Sequence, residues 1–282
     1  MTLAEQLQLA EAQLSTGPHP DRARRDAEAL LLHLLSRNRA WLLAHLTDEF
    51  GGCTAIGYAS LVDRRRRGEP VQYIAGEAEF CGLPLRVTPN VLIPRPETEH
   101  LVEEVINLLP LVAKPRIIDI GTGSGAIAIA LAHEWPAATV TAIDISAPAL
   151  ELAQKNAERI GFADRIRFLQ GDLLAPVAGE QFDFVVSNPP YVADADRDML
   201  SVEVRDYEPA LALFAGSDGL GIYRRLIPAA FGALTPGGFL LLEIGYGQQS
   251  PIRDLLSDVG FQNISFHPDL QNIPRVAIAQ HP

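Results

Sequence analysis

The chain has 282 residues, 48% hydrophobic and 21% charged, the proportions of a soluble protein with a core to bury and room for one large domain or two ordinary ones. Its 23 basic and 35 acidic side chains leave a net charge of −12, and a field of that sign repels phosphate backbones and disfavours a large nucleic-acid substrate. No apolar run approaches the ~18 residues that span a bilayer, the opening MTLAEQLQLAEAQL lacks the basic and apolar regions of a signal peptide, and Cys53 and Cys81 form no CxxC pair, so a cytoplasmic location without disulfides or zinc is expected.

The charge is unevenly spread. Residues 1–95 hold 11 basic and 11 acidic side chains, whereas residues 96–282 hold 12 basic and 24 acidic ones, which places all the excess acid in the second part. Residues 1–70 read as a small helical bundle. Leu3, Leu7, Ala10 and Leu14 fall on one helical face, Asp21 is placed to cap a second helix carrying Ala27, Leu30, Leu31, Leu34 and Leu35, and a third short helix holds Trp41, Leu42 and Leu46. A fourth runs from near Ala55 to Arg67 and stops at Gly68 and Pro70. Its Arg64–Arg67 run reads as a solvated helix end with favourable dipole placement.

Residues 71–95 change character. VQYIAGEAEF and LPLRVTP look like short strands around the turn Cys81-Gly82, a hairpin joining two domains. Ile93 to Glu99 follows with two prolines and is read as non-helical, and then a helix, HLVEEVINLL. From residue 116 onward strand and helix alternate. The candidate strands are RIIDI, TVTAIDI, IRFLQG, FDFVVS, FLLLEIG, ISFHP and RVAIAQ. Unbroken apolar strands between helices indicate an α/β fold, a largely parallel sheet covered on both faces. The short DLQNIP loop joins the last two strands as an antiparallel edge hairpin.

RIIDI runs into Gly121, Thr122, Gly123, Ser124 and Gly125, and a helix opens at once. Such a turn lets a ligand approach backbone and helix N-terminus, and alone it fits a dinucleotide as well. Three acids shift the balance. Asp119, two residues before the first glycine, would oppose a pyrophosphate but suits the ammonium of a methionine moiety. Asp144, ending the second strand, is placed for ribose hydroxyls. Asp172, after the third, can accept from an adenine amino group. Three acids at successive strand ends around one glycine turn point to S-adenosylmethionine.

The fourth strand ends in Ser187-Asn188-Pro189-Pro190-Tyr191. Two prolines end a strand rigidly but do not account for the asparagine and the aromatic beside them. An amide or aromatic NH2 is a poor nucleophile because its lone pair is delocalised. The Asn188 side-chain oxygen and the Pro189 carbonyl can each accept one N–H, orient the nitrogen and stabilise positive charge as it forms. Tyr191 can pack on the planar group. No strong base is needed, since a protonated N-methyl amide loses its proton readily. The seven histidines show no metal-ligand spacing, and no metal is expected.

The segments PVQYIAGEAEF, LIPRPETE, DIGTGSGAIAIALA, VTAIDIS, FDFVVSNPPY, EPALALFAGSDGL and LTPGGFLLLEIG, in this order over most of residues 70–245, resemble the release-factor glutamine methyltransferase family (the HemK/PrmC type). NPPY alone is shared with adenine methyltransferases of DNA and RNA, whereas LIPRPETE followed by NPPY and EPxxAL is far more specific. The resemblance implies a helical substrate-recognition domain over residues 1–70, a hairpin linker over 71–95 and a Rossmann-like class I S-adenosylmethionine-dependent methyltransferase domain over 96–282. It implies as substrate the glutamine of the Gly-Gly-Gln motif in peptide chain release factors, methylated on its side-chain nitrogen. By it Gly121 to Gly125, Asp144, Leu173 and Asn188 line the cofactor site, and Asn188, Pro189, Pro190 and Tyr191 hold the glutamine. Family members often carry an aromatic where Leu173 stands, so the adenine contact here is expected to be weaker or simply apolar. The alternative is an N6-adenine methyltransferase of DNA or RNA, which needs the same NPPY chemistry but is disfavoured by the charge. A dinucleotide oxidoreductase fits neither Asp119 nor NPPY, and the intact Asn188 argues against a cofactor-binding adaptor without turnover. A monomer is expected.

Overall fold

The computed structural model describes residues 1–109 and 112–282. The chain divides into two compact units: Met1–Glu77 with Leu200–Tyr207, and Ala78–Met199 with Glu208–Pro282.

The first unit is helical. Helix α1, Leu3–Leu14, opens with a capping box: Thr2 N–H donates to Glu5 Oε2 at 2.8 Å and Glu5 N–H to Thr2 Oγ1 at 3.2 Å. It buries Leu3, Leu7, Ala10 and Leu14, the face that the periodicity predicts. Helix α2, Ala23–Leu35, has Arg22 and not Asp21 at its N-cap, because Asp21 lies in a short 3-10 turn, Pro20–Arg22. After α3, Arg39–Ala44, comes α4, Gly52–Arg66, whose Tyr58 hydroxyl donates to the Ala27 carbonyl at 2.8 Å.

Residues 71–75, expected as strand, form helix α5, Val71–Ala75. Pro70 precedes it with φ −57°, Gly76 ends it in the left-handed region, and Ile74 buries itself in the helical core. Packing overrides the strand preference of valine, tyrosine and isoleucine. The arginine run is not wholly solvated either. Arg65 is 3% exposed, and its Nε donates to Asp26 Oδ2 at 2.6 Å and its Nη1 to Glu203 Oε2 at 2.9 Å. Glu203 sits on the helix Val202–Tyr207 (α9) and also meets Arg22 Nη1 at 3.1 Å.

The second unit begins at Ala78, within the hairpin of β1, Glu77–Phe80, and β2, Leu83–Arg86. Cys81 and Gly82 have φ of 48° and 71°, the pair of positive values that a two-residue hairpin turn requires. Helix α6, Pro96–Leu108, starts four residues earlier than the HLVEEVINLL reading. Proline at the first helical position sacrifices no hydrogen bond, and Glu97 and Glu99 favour the positive end of the helix dipole.

Among the described residues seven strands follow: β3 Arg116–Ile120, β4 Thr139–Asp144, β5 Ile166–Gln170, β6 Phe182–Ser187, β7 Leu234–Glu243, β8 Gln262–Pro268 and β9 Pro274–Gln280. Their order is β5-β4-β3-β6-β7-β9-β8, parallel from β5 to β7, with β9 antiparallel to β7 and β8 antiparallel to β9. The edge hairpin is therefore where the DLQNIP loop places it. Side chains alternate between two cores. Ile117, Phe184 and Leu241 join α6 and α7 (Ala126–Glu134) on one face, and Ile118, Val185 and Leu240 join α10 (Gly221–Ala233) and α11 (Gln249–Val259) on the other. Burial on both faces accounts for the unbroken apolar strands. Helix α8, Ala147–Ile160, connects β4 to the turn before β5. Among the described residues no helix is long and apolar enough to cross a membrane.

The strand order reverses between β3 and β6, which makes a crevice at their carboxyl ends. Ile120 lies opposite Ser187 in register, and Ser187 Oγ donates to the Ile120 carbonyl at 2.7 Å. The glycine turn and the NPPY segment therefore leave the sheet side by side.

Candidate active site

A cavity opens at this crevice. Its wall contains Gly121, Thr122, Gly123, Ser124, Asp144, Asp172, Leu173, Asn188, Pro189 and Pro190, together with residues 90–92, Pro94, Arg95, Thr98 and Arg225. Segments scattered over more than a hundred positions thus meet on one surface, most of them residues expected at a site. The described wall does not include Gly125, Tyr191 or Asp119.

The turn is shaped by backbone conformation. Gly121, Gly123 and Gly125 have φ of 73°, 56° and 84°, which L side chains rarely adopt. Gly121 and Gly123 have open space where a Cβ would stand, whereas at Gly125 a Cβ would come within 3.1 Å of Ala153 Cβ. The first two glycines leave room for a ligand, and the third lets α7 pack against α8. The fully buried Asn156 on α8 holds the turn from outside. Its Nδ2 donates to the Ser124 carbonyl at 2.8 Å, and its Oδ1 accepts the Arg86 N–H at 2.8 Å.

The three acids occupy three different environments. Asp119 is fully buried between β4 and β6, in register with Ala142 and Val186. It stands one residue before the end of β3 and is not part of the described cavity wall. Its Oδ2 accepts the Thr122 hydroxyl at 2.6 Å, and among the described residues Oδ1 lacks a hydrogen-bond partner of good geometry, although the Ala128 N–H still favours the charge. Burial pushes this carboxyl up to about 7, and the charge of Asp144 adds to the effect. Asp144 does face the cavity. Its own carboxyl is raised by burial, against the Ser146 and Gly123 N–H groups that favour its charge. Asp172 is half-exposed at the far end and pairs with Arg225. Leu173 beside it has φ 50°, a left-handed conformation uncommon for leucine.

At the other end, Asn188 Nδ2 donates to Thr98 Oγ1 at 3.0 Å. Thr98 lies in the first turn of α6, and its hydroxyl donates to Glu243 Oε2 at 2.6 Å. Tyr191 is not part of the described cavity wall; its hydroxyl lies 3.4 Å from Glu243 Oε1 and its carbonyl accepts Gln248 Nε2 at 3.0 Å. Arg95 Nη2 donates to the buried Glu208 Oε1 at 2.6 Å, which joins LIPRPETE to EPALAL. Thr98, Glu243 and Asn156 are not singled out by sequence reading. Glu243 left one sign, an acid closing an otherwise apolar strand at the edge where ligands bind.

A doubly wound sheet with an acid-flanked glycine turn and an Asn-Pro-Pro edge at its switch point defines a methyltransferase with a Rossmann-like domain. Residues 98–204 match the Methyltransferase small domain, and residues 5–76 match the PrmC N-terminal domain. The chain is 42% identical to the release factor glutamine methyltransferase of Koribacter versatilis, over 100% of this chain and 99% of that one. It is 45% identical to that of Moorella thermoacetica, over 99% and 98%. A methyltransferase from Pyrococcus furiosus has the same fold, with a TM-score of 0.51 at 20% identity over 71% of this chain and 90% of that one. The chain belongs to the release factor glutamine methyltransferase family.

Proposed function

We propose that this enzyme transfers a methyl group from S-adenosylmethionine to the side-chain N5 of the glutamine in the Gly-Gly-Gln motif of peptide chain release factors. The observation that carries this reading is the polarity of Asn188. The single Thr98 hydroxyl proton goes to Glu243, so Thr98 Oγ1 accepts from Asn188 and the amide nitrogen faces Thr98. Asn188 Oδ1 is thereby left to act as an acceptor beside the glycine turn, which is what an incoming NH2 group needs.

The donor set fits S-adenosylmethionine. Gly121 and Gly123 leave a cradle that a Cβ would fill, and Asp144 offers a carboxylate to ribose hydroxyls. Gly121 to Ser124 would hold the cofactor backbone-first, with Gly125 closing the turn against α8 and Asp172 and Leu173 at the adenine end. When bound, S-adenosylmethionine supplies an electrophilic methyl group on a sulfonium. The chain's own residues do the rest. Asn188 Oδ1 and the Pro189 carbonyl accept the two amide N–H groups, aim the nitrogen lone pair and stabilise the positive charge that develops on it. The nitrogen then releases one proton to water. The rigid Pro189-Pro190 backbone keeps the carbonyl in place, and Tyr191 braces the segment. Recognition of the protein substrate is assigned to the helical residues 1–70. The deciding experiment is transfer of a labelled methyl group to purified release factors and to DNA, side by side. Label is expected in release factor only, and label in DNA would reverse the assignment.

A further inference from the structure

Glu243 ends β7 and is 2% exposed. Its neighbours Leu240, Leu241 and Leu242 show what this strand otherwise carries. An isolated buried carboxylate is costly, so the position must return something that leucine would not. Glu243 has partners on four sides. Oε2 accepts the Thr98 hydroxyl, Oε1 lies 3.4 Å from the Tyr191 hydroxyl, and its backbone carbonyl accepts the Tyr223 hydroxyl at 2.7 Å. Burial pushes the Glu243 carboxyl up to about 7 and Glu97 on α6 adds to that, while the bonds from Thr98 and Tyr191 and the charge of Arg275 on β9 favour the ionised, accepting form. Asn188 and Tyr191 are the first and last residues of the NPPY segment, and this one carboxylate reaches both, one through Thr98 and one directly.

We propose that Glu243 is a positioning residue that sets the direction of the Asn188 amide through Thr98 and clamps the Tyr191 end of the same segment. A Glu243 oxygen that accepts obliges Thr98 to donate to it. Thr98 must then accept from Asn188 Nδ2, and Asn188 presents oxygen rather than nitrogen to the substrate. With the relay broken the amide is free to flip, and a flipped amide meets the substrate NH2 donor to donor. The inference rests on the reading of Asn188 as acceptor for the glutamine amide.

The test combines Thr98→Val, Thr98→Ser, Glu243→Gln and Asn188→Ala with kinetics and 15N-asparagine NMR. Thr98→Val keeps the side-chain volume and removes the relay. It is expected to lower kcat about 10- to 100-fold, less than loss of a direct transition-state contact, with the KM for release factor within about threefold. Thr98→Ser restores the hydroxyl and most of the rate. Glu243→Gln retains one acceptor oxygen and falls between wild type and Thr98→Val. The Asn188 side-chain resonance, identified by its loss in Asn188→Ala, should shift and exchange faster in Thr98→Val but not in Thr98→Ser. A folded Thr98→Val enzyme with wild-type kcat and an unmoved Asn188 resonance overturns the relay, even where Asn188→Ala is inactive. Activity in Asn188→Ala instead removes the acceptor reading, and the relay with it. The threonine variants do not depend on Glu243 variants folding.

Discussion

Asp144 holds the glycine turn by one oxygen and the start of α8 by the other: Oδ2 accepts the Gly123 N–H at 2.8 Å and Oδ1 the Ser146 N–H at 2.8 Å. The carboxylate that faces the cavity is therefore also the brace that shapes it. Its remaining lone pairs are oriented by these two bonds before any ligand arrives, so part of the ordering cost of binding is already met.

Replacement of Asp144 should accordingly act twice. Asp144→Asn keeps the size and one acceptor oxygen but loses the charge, and is expected to weaken S-adenosylmethionine binding about tenfold. Asp144→Ala also frees Gly123 and Ser146 and should lower stability by about 1–3 kcal/mol. Calorimetric titration and thermal melts separate the two effects. Wild-type affinity in both variants would take Asp144 out of the cofactor site.

Asn188→Ala should leave the fold nearly intact and reduce turnover by about 10²–10³, the size of a contact that matters when charge develops. Single-turnover transfer to release factor, with circular dichroism as the folding control, checks it. A wild-type rate would show that the acceptor lies elsewhere.

Much of the sheet and of the cavity wall could be read from the sequence, and the exceptions share a cause. Strands β3, β4 and β6 announce themselves because both faces are buried, and Gly121, Asp144 and Asn188 stand at their ends, where the topology brings them together. Val71–Ala75 reads as strand because β-branched and aromatic residues signal strand, but it is helical because Ile74 docks into a core built from distant helices. Asp119 looks like a strand-end ligand because pattern marks where a strand stops but not how deep the last residues lie. Thr98 and Glu243 are 145 positions apart and Arg65 and Glu203 are 138 apart. Pairings of that span leave no local periodicity to find.

Asp119 carries a pH signature in stability. Its folded carboxyl stands at about 7 against an ordinary 3.8, so the folded state holds the proton that the unfolded state releases. The stabilisation is then complete below about pH 4 and is lost as pH rises through about 7. In Asp119→Asn, a permanently neutral mimic, this dependence is absent. The stability of wild type minus variant should fall between pH 4 and pH 8 by up to a few kcal/mol in order of magnitude. Urea midpoints at several pH values measure it, and a flat difference would mean that burial does not hold the proton.

Arg65→Met should destabilise the helical unit by about 3–5 kcal/mol, because it leaves the buried Asp26 and the partly buried Glu203 without their main cation. Asp26 and Glu203 both lose their bond, and among the described residues Glu203 keeps the more exposed Arg22 and His19 at 3.4 Å. Arg65→Lys restores the charge but not two separate donors at fixed angles, and should recover part of the loss. Denaturant midpoints decide it, and an unchanged midpoint for Arg65→Met would show that the cluster adds nothing net.

A glutamine side chain is small and common, so the Asn-Pro-Pro edge cannot choose one residue among all proteins. Selection must draw on surface beyond the pocket. Deleting residues 1–70 is a poor probe of that surface, because it strips Glu203 of Arg22 and Arg65 and so confounds recognition with folding. Exposed side chains offer a cleaner one. Leu43 on α3 and Ile56 on α4 are 63% and 73% exposed and lie outside the helical core. If the helical unit binds release factor, Leu43→Asp with Ile56→Asp should lower kcat/KM for the intact factor about tenfold or more, since remote binding energy is what is lost. The same double variant should methylate a short Gly-Gly-Gln peptide at the rate of the wild-type enzyme on that peptide. A release factor with its glutamine changed to alanine should accept no label from either enzyme. Equal losses on peptide and factor would point to a damaged catalytic unit, no loss on either would remove Leu43 and Ile56 from recognition, and label in the alanine factor would show that the target residue is another one.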